Sequence, residues 1–250
     1  MIAATALAGL PEIGRGDDLA ALLAGAAGEP QDGLRDGDVL VVAHKVVSKA
    51  EGRVVALAGV QPGERALALA AEHAKDARIV EVILAESTQI VRSRPGVLIC
   101  RTRQGFVCAN AGVDASNAAA GEVVLLPRDP DASARALRAR LRELTGAKIA
   151  VVIADSFGRA WRVGQCDVAI GAAGLTALDD WRGRADAAGR ELTATIVAVA
   201  DEAAAAADLA RRKDSREPAV VVRGLERFVI DEDGPGAAAL IRARDEDLFL

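Results

Sequence analysis

Aromatic residues are scarce in this sequence, which contains no Tyr, four Phe and two Trp. A protein that binds single-stranded nucleic acid by stacking needs several aromatic side chains, so this scarcity argues against that role. Half of the chain, 51%, is nevertheless hydrophobic. We therefore predict a core made of Ala, Val, Leu and Ile side chains.

Cysteine and histidine are also rare, with three Cys and two His. No C-x-x-C pair occurs, which argues against a structural zinc site. Widely spaced single thiols at Cys100, Cys108 and Cys166 are typical of a reducing compartment. The start of the chain, Met1–Leu10, lacks the features of a signal peptide, and no apolar stretch reaches transmembrane length. We expect a cytoplasmic protein without a membrane partner.

Long basic runs are missing, and the net charge is −5 with acidic and basic residues interspersed. This pattern gives little support to nucleic-acid binding. Two short basic clusters, His44–Lys49 and Arg211–Lys213, fit a local phosphate site better than a polyanion.

The common nucleotide and hydrolase motifs are absent as well. The sequence has no G-x-x-x-x-G-K-[ST] loop, no G-x-G-x-x-G at a strand–helix junction and no G-x-S-x-G elbow. If the chain handles phosphate, it must use carboxylate-bound metals, Lys, Arg and loop amides from scattered places.

The order of elements predicts an α+β fold, because strands and helices do not alternate steadily. At 250 residues the chain fits one domain, spanning 1–250, with the possibility of two lobes. Expected strands lie at 39–42, 79–84, 88–92, 97–102, 106–109, 123–126, 148–154, 166–171, 193–199 and 219–222. Expected helices follow Asp17 or Asp18, span 62–75, begin at the cap Asp131, begin at Asp201 and cover 236–242.

The stretch Lys148–Arg162 combines a predicted buried strand with a group of polar residues that follows it. Its first half is an unbroken apolar run, as in a strand buried on both faces, and we expect the strand to end at Asp155 and Ser156. Carboxylate and hydroxyl oxygens there suit Mg²⁺ or Mn²⁺, and Arg159 and Arg162 can face the same anion. The alternative is a plain strand end whose Asp caps a turn.

Further polar residues follow other strands, each with an ordinary structural alternative. Asp114 and Asn117 can bind a metal–nucleotide complex or form an Asx turn. Asp201 and Glu202 can do the same or simply place negative charge at a helix start. Two lysines four residues apart, Lys45 and Lys49, can converge on one anion or form a solvated face.

The chain resembles a known family, the coenzyme F420-0:L-glutamate ligases. The resemblance covers nearly the whole chain and rests on motifs in the family's order and spacing. These motifs are Leu10–Ile13, His44–Arg53, Ala111–Asn117, Asp155–Arg162 and Gly189–Leu192.

The resemblance implies mixed sheets with flanking helices and an intertwined homodimer. It also implies an enzyme that phosphorylates the terminal carboxylate of F420-0 with GTP. The amine of L-glutamate then displaces phosphate, and further glutamates can follow through γ-linkages. Such ligases use Mn²⁺ or Mg²⁺ and are helped by K⁺.

By match of position, the resemblance also implies roles for individual residues of this chain. Nucleotide contacts fall to Leu10, Pro11, Glu12, Ile13, His44, Lys49 and Asn117. Metal ligation falls to Asp114, Asp155 and Ser156, and catalysis to Asp114, Asp155 and Lys49.

Two positions depart from the family pattern. Ser156 stands where Thr is usual and keeps the hydroxyl oxygen, whereas His44 stands where a small hydroxyl residue is usual. Because His44 is larger and titratable, a ligase acting on another acid, or a GTP-binding protein without turnover, remains an alternative. Mycobacterial relatives carry an additional flavin-binding, nitroreductase-like domain, and we expect this chain to hold the ligase part alone.

Overall fold

A five-stranded sheet forms the centre of the protein, whose computed structural model describes residues 1–28 and 33–248. Its strands, in order across the sheet, are β1 (Ala3–Ala6), β12 (Ala219–Arg223), β2 (Val39–Ala43), β8 (Ala150–Arg159) and β9 (Arg162–Ala173). β2 and β8 run parallel, and the other neighbours are antiparallel. The central strands are Val-rich and buried because helices cover both faces.

Helices α1 (Leu19–Ala27) and α5 (Pro130–Thr145) cover one face, and α6 (Val199–Ala210) covers the other. Ile153 packs into the core on the α1–α5 side, whereas its neighbour Ala154 packs on the α6 side. Successive residues of β8 therefore point into different layers. None of the helices in the described part of the chain is long and apolar enough to cross a membrane.

A second group of elements has its own core, formed by residues such as Ile83, Leu98 and Val123. It contains an antiparallel pair, a three-stranded sheet and two packed helices: β3 (Val54–Ala56), β7 (Glu122–Val124), β4 (Ser87–Arg94), β5 (Val97–Thr102), β6 (Val107–Ala109), α3 (Glu64–His73) and α4 (Ala77–Glu86). Besides short 3-10 turns, the described residues also form α2 (His44–Ala50), β10 (Asp179–Asp180) and β11 (Ile196–Val197). The predicted α+β class is confirmed.

The strand predicted at residues 79–84 is wrong, because these residues lie within α4. Asp76 caps this helix by accepting a hydrogen bond from the Arg78 amide. Val80 and Ile83, three residues apart, are fully buried in the second core. Helical packing thus overrides the strand preference of a β-branched run.

Two other strand boundaries differ from the prediction. β8 does not end at Asp155 but continues to Arg159, because β9 supplies hydrogen-bonding partners along the whole hairpin. The buried strand predicted at 193–199 is reduced to Ile196–Val197, which pairs with Asp179–Asp180 near the surface. The strand β1 was not predicted.

Helix α5 is capped by Asp129, not by the predicted Asp131. Asp131 instead accepts backbone hydrogen bonds from Ala172 and Ala237, which ties the helix to β9. Arg138 is buried, and its guanidinium donates to Asp233 at 2.8 Å and to the Ile149 carbonyl at 2.9 Å.

Candidate active site

Helix α2 begins directly after the carboxyl-terminal end of β2, at the same end of the sheet to which the parallel strand β8 runs. Ala43 pairs with Ala154, so the first residue of α2, His44, lies beside Asp155. The distance from His44 Nε2 to Asp155 Oδ1 is 3.4 Å, and His44 is only 2% exposed. The parallel register therefore brings together two residues that are far apart in the sequence.

The Asp155 carboxylate is held from two sides. Its Oδ1 accepts a hydrogen bond from the Ser156 amide at 2.8 Å, and the His44 ring beside it is itself placed 3.4 Å from the buried Ser48 hydroxyl. Asp155 keeps 18% of its side chain exposed. It is thus a positioned carboxylate that a ligand can reach.

The second residue of α2, Lys45, reaches a different carboxylate. Its Nζ lies 2.6 Å from Asp114 Oδ2 and donates to the Ser116 hydroxyl at 2.6 Å. Burial alone would raise the pKa of Asp114, but hydrogen bonds from Lys45 and from the Ser116 amide outweigh it. The pKa of Asp114 is therefore lowered, and the carboxylate is charged at neutral pH.

The last turn of α2 carries Lys49, which forms an ion pair with Glu12 beside a cavity of about 340 Å³. Gly52 has a φ of +70°, and a Cβ there would approach Arg15 Cδ to 2.8 Å, so glycine lets Arg15 lie across the wall. The lining residues are Glu12, Ile13, Gly14, Arg15, Lys49, Gly52, Val54, Ala118, Ala119, Glu122 and Val124. Two cationic side chains at one cavity can contact an anionic group such as a nucleotide phosphate.

Several residues predicted to bind nucleotide fall at this cavity. Glu12, Ile13 and Lys49 line it, and Ile13 is buried in the main core, which anchors the loop that contains Leu10 and Pro11. Asn117 is exposed in the loop immediately before the lining residue Ala118, with a left-handed φ of 56°. The contribution of Arg15 was not predicted.

Ser156 lies in a different environment from Asp155. Its hydroxyl donates to Asp167 Oδ1 at 2.5 Å and accepts from Lys213 Nζ at 3.0 Å. Asp167 is fully buried and also pairs with Arg211. Because successive β8 residues face different layers, Ser156 belongs to the α6 side and Asp155 to the α2 side.

The donor chemistry of Asp114 and Asp155 suits Mg²⁺ or Mn²⁺, which prefer carboxylate oxygens. Each acid contacts a basic residue of α2, so the two approach the same helix, Asp155 from β8 and Asp114 from the segment before β7. Among residues 1–28 and 33–248, no three His, Cys, Asp or Glu side chains are grouped as a complete metal cage. The two carboxylates offer oxygens of the kind that such an ion takes, with bound ligands as the source of the other oxygens, while the Ser156 hydroxyl contacts Asp167 and Lys213 instead.

Comparisons with known proteins identify the family of this chain. The family model for F420-0:gamma-glutamyl ligase matches residues 9–224. The chain belongs to the F420-0:gamma-glutamyl ligase family.

Named relatives of this family member match over nearly their full length. It is 50% identical to the coenzyme F420:L-glutamate ligase of Methanopyrus kandleri, over 94% of this chain and 92% of the relative. Proteins with the same name from Methanothermobacter thermautotrophicus and Archaeoglobus fulgidus are 45% and 47% identical, over 96% of this chain and 96% and 93% of those proteins.

The remaining predicted site residues of this ligase-family chain lie elsewhere. Arg159 and Arg162 are exposed at the tip of the β8–β9 hairpin, and strand rise puts Arg159 roughly 13 Å beyond Asp155. Asp201 accepts a hydrogen bond from the Ala169 amide at 2.9 Å, and burial raises its pKa. Glu202, beside it on α6, is exposed.

Proposed function

We propose that the protein is a GTP-dependent ligase that joins L-glutamate to coenzyme F420-0. Family membership and the names of the relatives support the acid and the amino acid. The observation that carries the proposal is the layout of α2. His44, Lys45 and Lys49 on this one short helix contact Asp155, Asp114 and Glu12 in turn, so the helix connects both predicted catalytic carboxylates with the cavity.

In the first step, the terminal carboxylate of F420-0 attacks the γ-phosphorus of GTP. A bond forms between them, the bond to the β-phosphate oxygen breaks, and GDP leaves. The two reactants are both anionic, so positive charge must lie where they meet. Lys49 and Arg15 at the cavity supply part of this charge to the nucleotide.

Asp114 and Asp155 would hold Mn²⁺ or Mg²⁺, which supplies further positive charge beside the phosphate oxygens when bound. Lys45 holds the Asp114 carboxylate in place, and the His44 ring does the same for Asp155. K⁺, also expected from the family resemblance, would act as an accessory ion.

In the second step, the neutral amine of L-glutamate attacks the carbonyl carbon of the acyl phosphate. The amide bond forms, the carbon–oxygen bond to phosphate breaks, and phosphate leaves with the proton that the amine nitrogen loses. No Ser or Cys of the protein has to form a covalent intermediate, because the phosphate already activates the carboxylate. The part played by the chain is to hold the two reactants together and to keep the acyl phosphate from water.

Mass spectrometry of F420-0 incubated with the protein, GTP, Mn²⁺ and L-glutamate tests the proposal. We expect a product heavier by one or more glutamyl units, together with GDP and phosphate that form only when both other substrates are present. GTP binding with no new product would favour a non-catalytic homologue. Phosphate release with a different carboxylic acid in place of F420-0 would favour a related amino-acid ligase. The homodimer is also a proposal, and light scattering on the purified protein would test it.

A further inference from the structure

We propose that the ammonium group of Lys213 supplies the positive charge at Ser156, in the place that a metal ion would take. The protein would then bind one divalent ion with nucleotide, at Asp114 and Asp155, and none at Ser156. This inference rests on the proposed function, in which positive charge must accompany the phosphates.

The hydrogen bonds of Ser156 carry the first part of the argument. A hydroxyl group offers one proton and two lone pairs. The Ser156 hydroxyl donates a hydrogen bond to Asp167 Oδ1, and one of its lone pairs accepts a hydrogen bond from Lys213 Nζ. The ammonium also lies 2.6 Å from Asp208 Oδ1 and 3.6 Å from Asp167 Oδ1. It is therefore surrounded by three oxygen atoms, as a bound metal ion would be.

A buried ion pair fixes the segment that carries Lys213. Asp167 is fully buried, and Arg211, whose side chain is 9% exposed, pairs with it and donates to the Pro218 carbonyl at 3.1 Å. Two residues later the chain brings Lys213 to Ser156. Although 68% of the Lys213 side chain is exposed, its charged end is held by groups on both β8–β9 and α6.

Charge balance at this place opposes a further cation. The two negative charges of Asp167 and Asp208 are balanced by the two positive charges of Arg211 and Lys213. A divalent ion on the remaining lone pair of Ser156 would lie next to the Lys213 ammonium and be repelled by it. Asp155 cannot share such an ion readily, because it faces the α2 layer on the other side of β8.

The test counts Mn²⁺ ions bound to the full chain in the presence of a non-hydrolysable GTP analogue, by electron paramagnetic resonance of free Mn²⁺. We expect one ion per wild-type chain. Lys213→Gln leaves the oxygens of Ser156, Asp167 and Asp208 without their cation, so we expect a second ion. Lys213→Arg restores the charge and should bind one.

Two further variants control this measurement. Arg212→Gln removes the same charge from the neighbouring residue, which is 81% exposed and contacts Asp214, and should bind one ion. Ser156→Ala combined with Lys213→Gln removes the hydroxyl ligand and should lose the second ion. Two ions on the wild type, or one on Lys213→Gln, would overturn the inference.

Assay of glutamyl transfer separates this inference from the proposed function. An active wild type that binds two ions would leave the ligase activity standing and remove the role of Lys213. A change from one ion to two in Lys213→Gln, in a protein that transfers no glutamate, would support the role of Lys213 and remove the ligase.

Discussion

Asp155 and Ser156 are adjacent in the sequence, yet the two sides of β8 on which they lie differ in physical character. On the α2 side, three basic side chains of one helix each contact a carboxylate that solvent can reach. The side chains of Asp155, Asp114 and Glu12 are 18%, 40% and 83% exposed. On the α6 side, the charges gather around Asp167, which is fully buried. The first arrangement is open to a ligand, while the second is closed by the protein's own cations.

This difference separates groups that serve ligands from groups that serve the fold. The carboxylates of Asp114 and Glu12 can exchange their lysine contacts for a ligand at small cost, because partly exposed pairs contribute little to stability. A buried pair cannot be broken in this way without leaving a desolvated charge. Changes on the α2 side should therefore reduce activity, and changes on the α6 side should first reduce stability.

The largest expected effect is on turnover, from Asp155→Asn. We expect glutamyl transfer to fall by at least about 100-fold, because a ligand of the ion that would stabilise charge beside the reacting phosphate is lost. The free energy of unfolding should fall by less than about 2 kcal/mol, since no buried ion is left unpaired. Asp180→Asn, which changes an exposed acid paired with Arg182, is the control and should keep full activity. Wild-type turnover in Asp155→Asn would remove this residue from the reaction.

On the α6 side, Asp167→Leu should lower the free energy of unfolding by about 3–5 kcal/mol, because Arg211 is left buried without its partner. Urea denaturation measures this change. Asp214→Leu, which removes an exposed acid from the same region, should cost no more than about 0.5 kcal/mol. Equal losses in the two variants would contradict the buried character of this side.

A smaller effect is expected from Lys49→Met at the cavity. The KM for GTP should rise roughly tenfold, which corresponds to one lost contact to a phosphate of about 1.4 kcal/mol. Stability should change by less than about 1 kcal/mol, because the partner Glu12 is mostly exposed. Lys148→Met breaks a surface pair with Asp231 at the opposite end of β8 and should leave KM unchanged. A normal KM in Lys49→Met would place the nucleotide elsewhere.

The smallest expected effect is on the folding stability of the protein at acid pH, to which Asp114 contributes. A carboxyl group whose pKa is lowered on folding stabilises the protein above its usual pKa of 3.8, and this stabilisation is lost as the pH falls through the lowered value. Wild type should therefore lose more stability than Asp114→Asn as the pH falls below the usual pKa of 3.8. Thermal unfolding across this range tests the prediction, and parallel curves for the two proteins would show that Lys45 does not hold the carboxylate charged.

Much of the fold was predictable because its strands are strong local signals. The unbroken apolar runs at Val39–Val42 and Ala219–Val222 predict buried strands, and the structure has both. The run at Ile79–Leu84 carries the same signal but forms α4, since Asp76 caps a helix and α3 offers a packing partner. Local preference decides an element only where the tertiary contacts agree with it.

The sequence by itself determined which residue types are available for phosphate chemistry, and through its motifs it indicated the family. The tertiary structure decided which of them meet. The parallel pairing of β2 with β8 places His44 against Asp155, and the pleat of β8 turns Ser156 toward Asp167 and Lys213 instead. Neither contact can be read from sequence spacing, because strand register and the side of the sheet are set by packing across the whole domain.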